Sequence, residues 1–322
     1  MTQLTLEERF IGTIVGCAVG DALGAPFEGI GANNLFQDEP LDYAPIHGFP
    51  RGQYTDDTQM TLAIVRAILS DGEINGETVT EEFAKFWRSG EIIGPGLSCS
   101  DAMWRYIRGD AAWDECGTER GRAGNGTAMR ASPVGLWDYD AVERVPHHAT
   151  VISIMTHTDE RAIAGAAAVA YAVAYLVTRD ELDAADFTEQ VSKAVAAQSA
   201  EFARAIDKLP GLVQADQDEA IPVLVNEGWD GHDPSLGVTP FVIPTVLASF
   251  YAFLKCPHDF ASAVRTVINM GGDVDSTASI TGAISGAFNG IDAIPTQLRH
   301  GVKDSDRIHR FGAEFFRKKA QR

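Results

Sequence analysis

Apolar side chains recur at helical spacing along much of the chain. In residues 58–70 they fall at Leu62, Val65 and Ile68, and residues 161–177 carry a stripe of alanines four residues apart. Such spacing places the apolar groups on one face of an α-helix. The sequence shows neither strands alternating with helices nor a run of hairpins. The pattern therefore predicts an all-α fold, a compact many-helix domain.

Glycines interrupt two of the predicted helices at intervals of four residues. They are Gly12, Gly16 and Gly20 in residues 11–23, and Gly282, Gly286 and Gly290 in and just after residues 277–288. A glycine inside a helix costs about 1 kcal/mol relative to alanine. Because each set lies on one helix face, we expect both faces to pack closely against another helix. The helices are too short and too polar at their ends for a membrane dimer.

Two stretches rich in glycine and charge, residues 117–126 and 228–237, are predicted to be loops. Neither has the length or composition of a linker between domains. We found no internal repeat and no low-complexity segment. The sequence therefore predicts one domain over residues 1–322.

The composition limits the class of partner. The 322-residue chain has a formal net charge of -19 and an isoelectric point near 4.7, so its surface repels nucleic acid and anionic membranes. No run of about 18 apolar residues is present, and the amino terminus lacks the pattern of a secretory signal. The cysteines are scattered without a CxxC spacing, which is typical of reduced thiols. We expect a cytoplasmic protein with no membrane span and no nucleic-acid partner.

An acidic motif, Thr55-Asp56-Asp57, comes directly before the helical pattern of residues 58–70. A helix cap would account for one of these residues, or two, because a hydroxyl or carboxylate satisfies free N–H groups. A hydroxyl followed by two adjacent carboxylates also offers the oxygen ligands that Mg²⁺ or Mn²⁺ prefers. Taken alone, this motif fits a cap and a metal site equally well.

A second acidic motif, Asp273-Val274-Asp275-Ser276, follows two glycines and precedes the helix of residues 277–288. It too can be explained as a capped helix start. Two clusters of carboxylate and hydroxyl, one near each end of the chain, look like the two halves of a binuclear site. Without cations, converging carboxylates would repel one another, and two divalent ions would remove that repulsion and could activate a water.

A third segment, residues 20–28, contains Asp21 and Glu28. Asp21 could serve structurally by accepting hydrogen bonds. Glu28 could reach a metal, although its position in the sequence alone is more typical of a solvated surface glutamate.

These segments, in this order, resemble the ADP-ribosylglycohydrolase family, the relatives of dinitrogenase reductase-activating glycohydrolase. The stretches that carry the resemblance are GCAVGDALGAPFEG, YTDDTQ, GNGTAMRASPVG, MTHTDERAIAGA and GGDVDSTASITGAISG, which together span nearly the whole chain. The family implies an orthogonal all-α fold, a centre of two Mg²⁺ or Mn²⁺ ions, and hydrolysis of the bond between ADP-ribose and a protein side chain. We expect arginine to be the side chain from which ADP-ribose is released, with serine-linked or other O-linked ADP-ribose as the alternative substrate.

The resemblance also implies roles for individual residues. The implied metal ligands are Thr55, Asp56 and Asp57 for one ion and Asp273, Asp275 and Ser276 for the other, with Asp275 bridging. The implied ADP-ribose contacts are Gly124, Asn125, Gly126, Thr127, Met129 and His157. The catalytic candidates are Glu28, Asp56 and Asp101, of which Asp101 matches the family least cleanly. No residue is identified for stacking on the adenine.

Two rival functions remain at this stage. One is another metal-dependent hydrolase, such as a phosphohydrolase that uses the same acidic site. The other is a non-catalytic ADP-ribose binder, since the family includes crystallins, although the intact acidic motifs argue against it. The expected partners are an ADP-ribosylated protein as substrate and ADP-ribose as product.

Overall fold

The fold of the chain is helical throughout the residues that the computed structural model describes, which are 4–32, 40–46, 48–229 and 231–322. These residues contain no strand, only isolated backbone bridges. The α-helices, in chain order, are α1 (Leu6–Gly24), α2 (Asp56–Asp71), α3 (Gly76–Ser89), α4 (Leu97–Ile107), α5 (Ser132–Asp138), α6 (Val145–Ile154), α7 (Glu160–Leu176), α8 (Ala184–Val195), α9 (Ala200–Ile206), α10 (Leu209–Gln214), α11 (Gln217–Asn226), α12 (Val242–Lys255), α13 (Phe260–Asn269), α14 (Val274–Asn289), α15 (Thr296–Gly301) and α16 (Ser305–Ala320). Short 3₁₀ turns lie at Ala25–Phe27, Asn125–Thr127, Val142–Arg144, Pro234–Leu236 and Ile291–Ala293. The all-α prediction is confirmed.

The four helices that the sequence pattern predicts all form, as α1, α2, α7 and α14. Their starts differ from the prediction. Helix α1 begins five residues earlier, where Thr5 and Glu8 make a capping box. Helices α2 and α14 begin two and three residues earlier, so that Thr55 and Asp273 directly precede the helices and the rest of each acidic motif lies in the first turn.

The glycine faces of α1 and α14 pack directly against each other. A Cβ built on Gly16 would lie 2.2 Å from the carbonyl oxygen of Gly282, and one built on Gly286 would lie 2.0 Å from the carbonyl oxygen of Gly12. Such distances leave no room for any side chain at these positions. The predicted close helix–helix approach is confirmed, and it fixes the start of α14 beside the end of α1.

Helix α1, together with the 3₁₀ turn that extends it to Phe27, is also the one helix of the described residues that is long and apolar enough to cross a membrane. Core helices of soluble proteins pass the same test, and 89% of its most apolar window is buried inside the protein. Its neighbours include α14 and α16. The sequence predicted no membrane span. Among the described residues this one helix passes the test of length and composition, and it is enclosed within the protein.

One continuous hydrophobic core extends from Phe10 in α1 to Phe315 in α16. The alanine-rich helix α7 lies within it, and its small side chains let α5, α6, α12 and α14 approach. The segments predicted as loops, residues 117–126 and 228–237, contain only 3₁₀ turns among their described residues. They lie beside the starts of α2 and α14, where the polar groups collect.

Candidate metal centre and substrate cleft

Asp21, a fully buried residue of α1, holds the first acidic motif in place. Its carboxylate accepts hydrogen bonds from the backbone N–H and hydroxyl of Thr55, at 3.0 and 2.9 Å, and from the N–H and hydroxyl of Thr58, at 3.0 and 2.6 Å. Burial raises the pKa of Asp21 to about 6. Because a carboxylate only accepts, the proton of the Thr55 hydroxyl points to Asp21 and its lone pairs remain for another partner. Thr55 makes no side-chain cap on α2, so the cap explanation fails for this residue.

Asp56 and Asp57 are buried in the first turn of α2. The N–H of Asp56 donates to the carbonyl of Ile93 at 2.8 Å, which ties this turn to the segment before α4. Asp57 Oδ2 accepts a long bond of 3.4 Å from the Ser276 hydroxyl, whereas its buried Oδ1 has no hydrogen-bond partner among the described residues. A buried carboxylate oxygen without a partner is costly, and a bound cation would relieve that cost.

The second acidic motif is positioned by Gly271 and Gly272, whose φ angles of 72° and 82° are accessible chiefly to glycine. The N–H of Asp273 donates to Val238 O at 2.8 Å, and Asn125 Nδ2 donates to the Asp273 carboxylate. Asp273 does not cap α14 with its side chain. Both acidic motifs therefore lie at helix starts, and neither uses a carboxylate as a helix cap.

The two motifs and Glu28 converge. Carboxylate oxygens of Glu28, Asp273 and Asp275 lie within 4.8 Å of one another. Burial raises the pKa of Asp56, Asp57, Asp275 and Glu28, and the negative charge of neighbouring carboxylates raises it further. Burial likewise raises the pKa of Asp273. An all-oxygen set of facing carboxylates and hydroxyls, with an orphaned Asp57 oxygen, fits Mg²⁺ or Mn²⁺.

The carboxylates line one side of a cleft with a volume of about 470 Å³. Trp229 and Phe241 line another part of it, with ring centroids 6.2 Å apart in an edge-to-face arrangement. The guanidinium of Arg161 lies over the Phe241 ring at 5.3 Å. Trp229 is 52% exposed, so the cleft offers an aromatic surface suited to a planar ring. The sequence analysis missed both aromatics because nothing in their spacing relates them to the acidic motifs.

The turn at Asn125–Thr127 forms a further wall with His157. A Cβ on Gly124 would lie 3.2 Å from His157 Nε2, and one on Gly126 would lie 3.0 Å from His157 Cε1, so both glycines let the chain pass against the ring. Of the residues predicted to contact ADP-ribose, Gly124, Asn125, Gly126, Met129 and His157 line the cleft. Thr127 does not: it is fully buried and its hydroxyl donates to Ala162 O at 2.6 Å.

His157 faces the cleft as a neutral ring. Its Nδ1 lies 2.9 Å from the Thr156 hydroxyl, which also accepts a bond of 2.6 Å from Arg130. Burial, followed by the positive charge of Arg130, lowers the pKa of His157 to about 3. A neutral imidazole can donate or accept one hydrogen bond without adding charge to the cleft.

Asp101 lies outside the cleft. It is an exposed residue of α4, it accepts a bond of 3.0 Å from Arg122, and it lines a separate depression with Trp104 and Arg108. The structure thus brings together Glu28, Asp56 and the predicted metal ligands, and leaves Asp101 apart from them.

A model of the ADP-ribosylglycohydrolase family matches residues 2–322. An uncharacterized protein of Archaeoglobus fulgidus is 31% identical, with 97% of each chain covered. ADP-ribosylarginine hydrolase Tri1 of Serratia proteamaculans is 25% identical over 95% of this chain and 78% of its own. ADP-ribosylhydrolase ARH3 of Xenopus tropicalis is 26% identical over 92% of this chain and 93% of its own.

A solved structure described as an ADP-ribosylglycohydrolase-related protein complex has the same fold. Its TM-score is 0.78 at 21% identity, with 98% of this chain and 99% of that chain covered. The match over the whole chain, the shared fold and the converging acidic motifs lead to one conclusion: this chain belongs to the ADP-ribosylglycohydrolase family and is an ADP-ribosyl hydrolase.

Proposed function

We propose that the enzyme removes ADP-ribose from arginine side chains of proteins, with the help of two divalent cations. The observation that carries the metal part is the convergence of Glu28, Asp273 and Asp275 beside the orphaned oxygen of Asp57. Thr55, Asp56, Asp57, Asp273, Asp275 and Ser276 would hold Mg²⁺ or Mn²⁺. When bound, such ions stabilise negative charge on oxygen and make a coordinated water a stronger nucleophile at neutral pH.

The protein's own residues supply orientation and proton transfer. The turn at Gly124–Gly126 and the aromatic pair Trp229 and Phe241 hold the nucleotide in the cleft, so that the distal ribose lies against the carboxylates. The bond from the anomeric carbon to the acceptor nitrogen breaks, and a bond from water oxygen to that carbon forms. Glu28, whose pKa is raised by burial and by Asp273, takes one proton from the water and returns it to the departing nitrogen.

Support for arginine as the acceptor comes from two sources. One relative is named an ADP-ribosylarginine hydrolase. Glu28, which is not among the proposed metal ligands, also favours a cationic acceptor over a neutral one, because opposite charges attract most strongly where water is partly excluded. Serine-linked and other O-linked ADP-ribose are the competing substrates.

The test is a product analysis. The metal-stripped protein is incubated with arginine-, serine- and O-acetyl-linked ADP-ribose, with a chelator or with added Mg²⁺ or Mn²⁺. We expect free ADP-ribose from the arginine linkage, only when metal is present. Full activity in chelator would contradict the metal proposal. Release of AMP would identify cleavage of the phosphoanhydride instead.

A further inference from the structure

A second, smaller hollow adjoins the substrate cleft and shares a wall with it. This side hollow has a volume of about 250 Å³. Glu28, Pro240 and Asp273 line both spaces. The remaining residues of the side hollow are Gly29, His232, Leu236, Val238, Thr239 and Gly272.

The floor of the side hollow is built of backbone held by hydrogen bonds on two sides of Gly272. Gly272 O accepts from Gly29 N at 2.8 Å, and Gly272 N donates to Ile30 O at 2.7 Å. On the other side Val238 N donates to Gly271 O at 2.9 Å. These bonds join three separate segments, so the hollow is largely preformed, as ligand sites usually are.

The outer wall is fixed by a bond of its own. His232 Nε2 lies 2.8 Å from Gly237 O, which closes the turn that carries Leu236. Leu236 is 59% exposed at this position. An apolar side chain that is both exposed and held at the rim of a cavity is available to cover part of a ligand.

The chemistry of the side hollow changes from one end to the other. At the shared wall it presents the carboxylates of Glu28 and Asp273, and at the exposed rim it presents the apolar side chain of Leu236, while Val238 lies buried beneath it. No lysine or arginine lines it among the described residues. A ligand that matches both ends has a cationic head and an aliphatic stem.

We propose that the side hollow binds the arginine side chain from which ADP-ribose is removed, and that Leu236 is a specificity-determining residue. The proposal rests on the function proposed above. The nucleotide groups of the substrate lie in the main cleft, so the bond to be cleaved lies at the shared wall and the acceptor lies beyond it. The guanidinium then contacts Glu28, and the aliphatic stem contacts Leu236. A serine acceptor has no positive charge for Glu28 and no aliphatic stem for Leu236, so it makes neither contact fully.

The matched control is an exposed apolar residue that lines neither space. Val223 lies on α11 and is 42% exposed. Leu236→Ser and Val223→Ser are compared for hydrolysis of arginine-linked and serine-linked ADP-ribose, and for binding of free ADP-ribose. Both side chains are exposed, so both variants are expected to fold.

For Leu236→Ser we expect KM for the arginine linkage to rise about tenfold, the effect of losing most of one aliphatic contact. Binding of free ADP-ribose and hydrolysis of the serine linkage should stay at the parent's values, and Val223→Ser should resemble the parent throughout. An equal rise of KM in Val223→Ser, or an equal loss on both linkages in Leu236→Ser, would overturn the assignment.

A charged variant gives a second readout. Leu236→Lys places a cation at the rim, which should weaken binding of agmatine, a guanidinium on an aliphatic stem, to the enzyme saturated with ADP-ribose. The same cation should slightly strengthen binding of the anionic ADP-ribose itself. Changes of opposite sign for the two ligands would distinguish this effect of charge from a general loss of binding. If the parent cleaves arginine-linked ADP-ribose and the Leu236 variants match it, only the subsite assignment fails. If the parent cleaves no arginine linkage, the proposed function fails with it.

Discussion

Asp57 illustrates what a carboxylate does when it is buried beside others of its kind. Its Oδ1 lacks a partner among the described residues, and burial together with the charges of Asp21 and Asp275 raises its pKa. In the absence of a cation, such a group opposes folding while ionised. Removing the charge of one carboxylate in this cluster should therefore weaken metal binding and, at the same time, relieve repulsion.

This contrast defines a test with Asp56→Asn and Asp275→Asn. We expect each to lower turnover by at least about a hundredfold, since even outer partners of metal ligands cost about 10–100-fold in affinity or activity. Calorimetry should show weaker metal binding, while the Tm of the metal-free variants holds or rises. Asp292→Asn, which alters an exposed carboxylate paired with Arg299, is the control. Variants that melt below the parent yet bind metal with the parent's affinity would show that these carboxylates stabilise the helix starts and do not hold the metal.

Single residues also mark where sequence reasoning succeeds and fails. The motifs identified the converging carboxylates, because adjacent oxygen ligands leave a local signature. They did not show that Thr127 turns inward or that Asp101 pairs with Arg122 away from the cleft. Nor did they show Trp229 and Phe241. Which way a side chain points from a loop depends on contacts with distant segments, and one sequence does not record them.

At the scale of helices, the periodic patterns were sufficient to predict α1, α2, α7 and α14, but not their first residues. The starts of α2 and α14 were placed too late because the helices were counted from the first residues of the apolar pattern, after the acidic motifs. The structure places Asp56, Asp57 and Asp275 in the first helical turns, where the helix dipole favours a negative charge. The glycine spacing correctly predicted the contact between α1 and α14.

Replacing Gly286 tests that contact. A Cβ there would lie 2.0 Å from Gly12 O, so Gly286→Leu should lower the free energy of unfolding by about 1–3 kcal/mol or more. Because α14 begins with Asp275 and Ser276, metal affinity and activity should fall as well. The control is Gly211→Leu, at an exposed helical glycine where a Cβ meets nothing within 4 Å. It should be neutral or slightly stabilising. Equal melting temperatures for Gly286→Leu and the parent would contradict the packing account.

At the scale of the whole molecule, the cluster predicts how stability depends on pH. Folding raises the pKa of Asp56, Asp57 and Asp275 above the ordinary value of 3.8, and that of Asp21 to about 6. A raised pKa contributes stability that is present below the unfolded value and is lost as the pH rises through the folded value. The Tm of the metal-stripped protein should therefore fall as the pH rises from about 4 through about 6, the folded pKa of Asp21.

Added Mg²⁺ or Mn²⁺ should raise Tm most at the alkaline end, because the ions bind the ionised carboxylates. Differential scanning fluorimetry over this range, with and without metal, measures both effects. Asp275→Asn should flatten the decline in the metal-free protein. A Tm that rises with pH in chelator would show that the carboxylates are not mutually repulsive.

The packing of α1 on α14 sets an order of events during synthesis. Helix α1 leaves the ribosome early and α14 nearly last, so the nascent chain carries Thr55–Asp57 long before Asp273–Ser276 exists to complete the centre. During that interval the glycine face of α1 has no partner, and its apolar segment is as long as one that crosses a membrane. A message truncated before the codon for Val274 would yield a chain that cannot assemble the centre, however well its earlier helices fold. If the centre binds metal as proposed, loading follows the synthesis of Asp273–Ser276 and reports that the chain from Asp273 onward has docked.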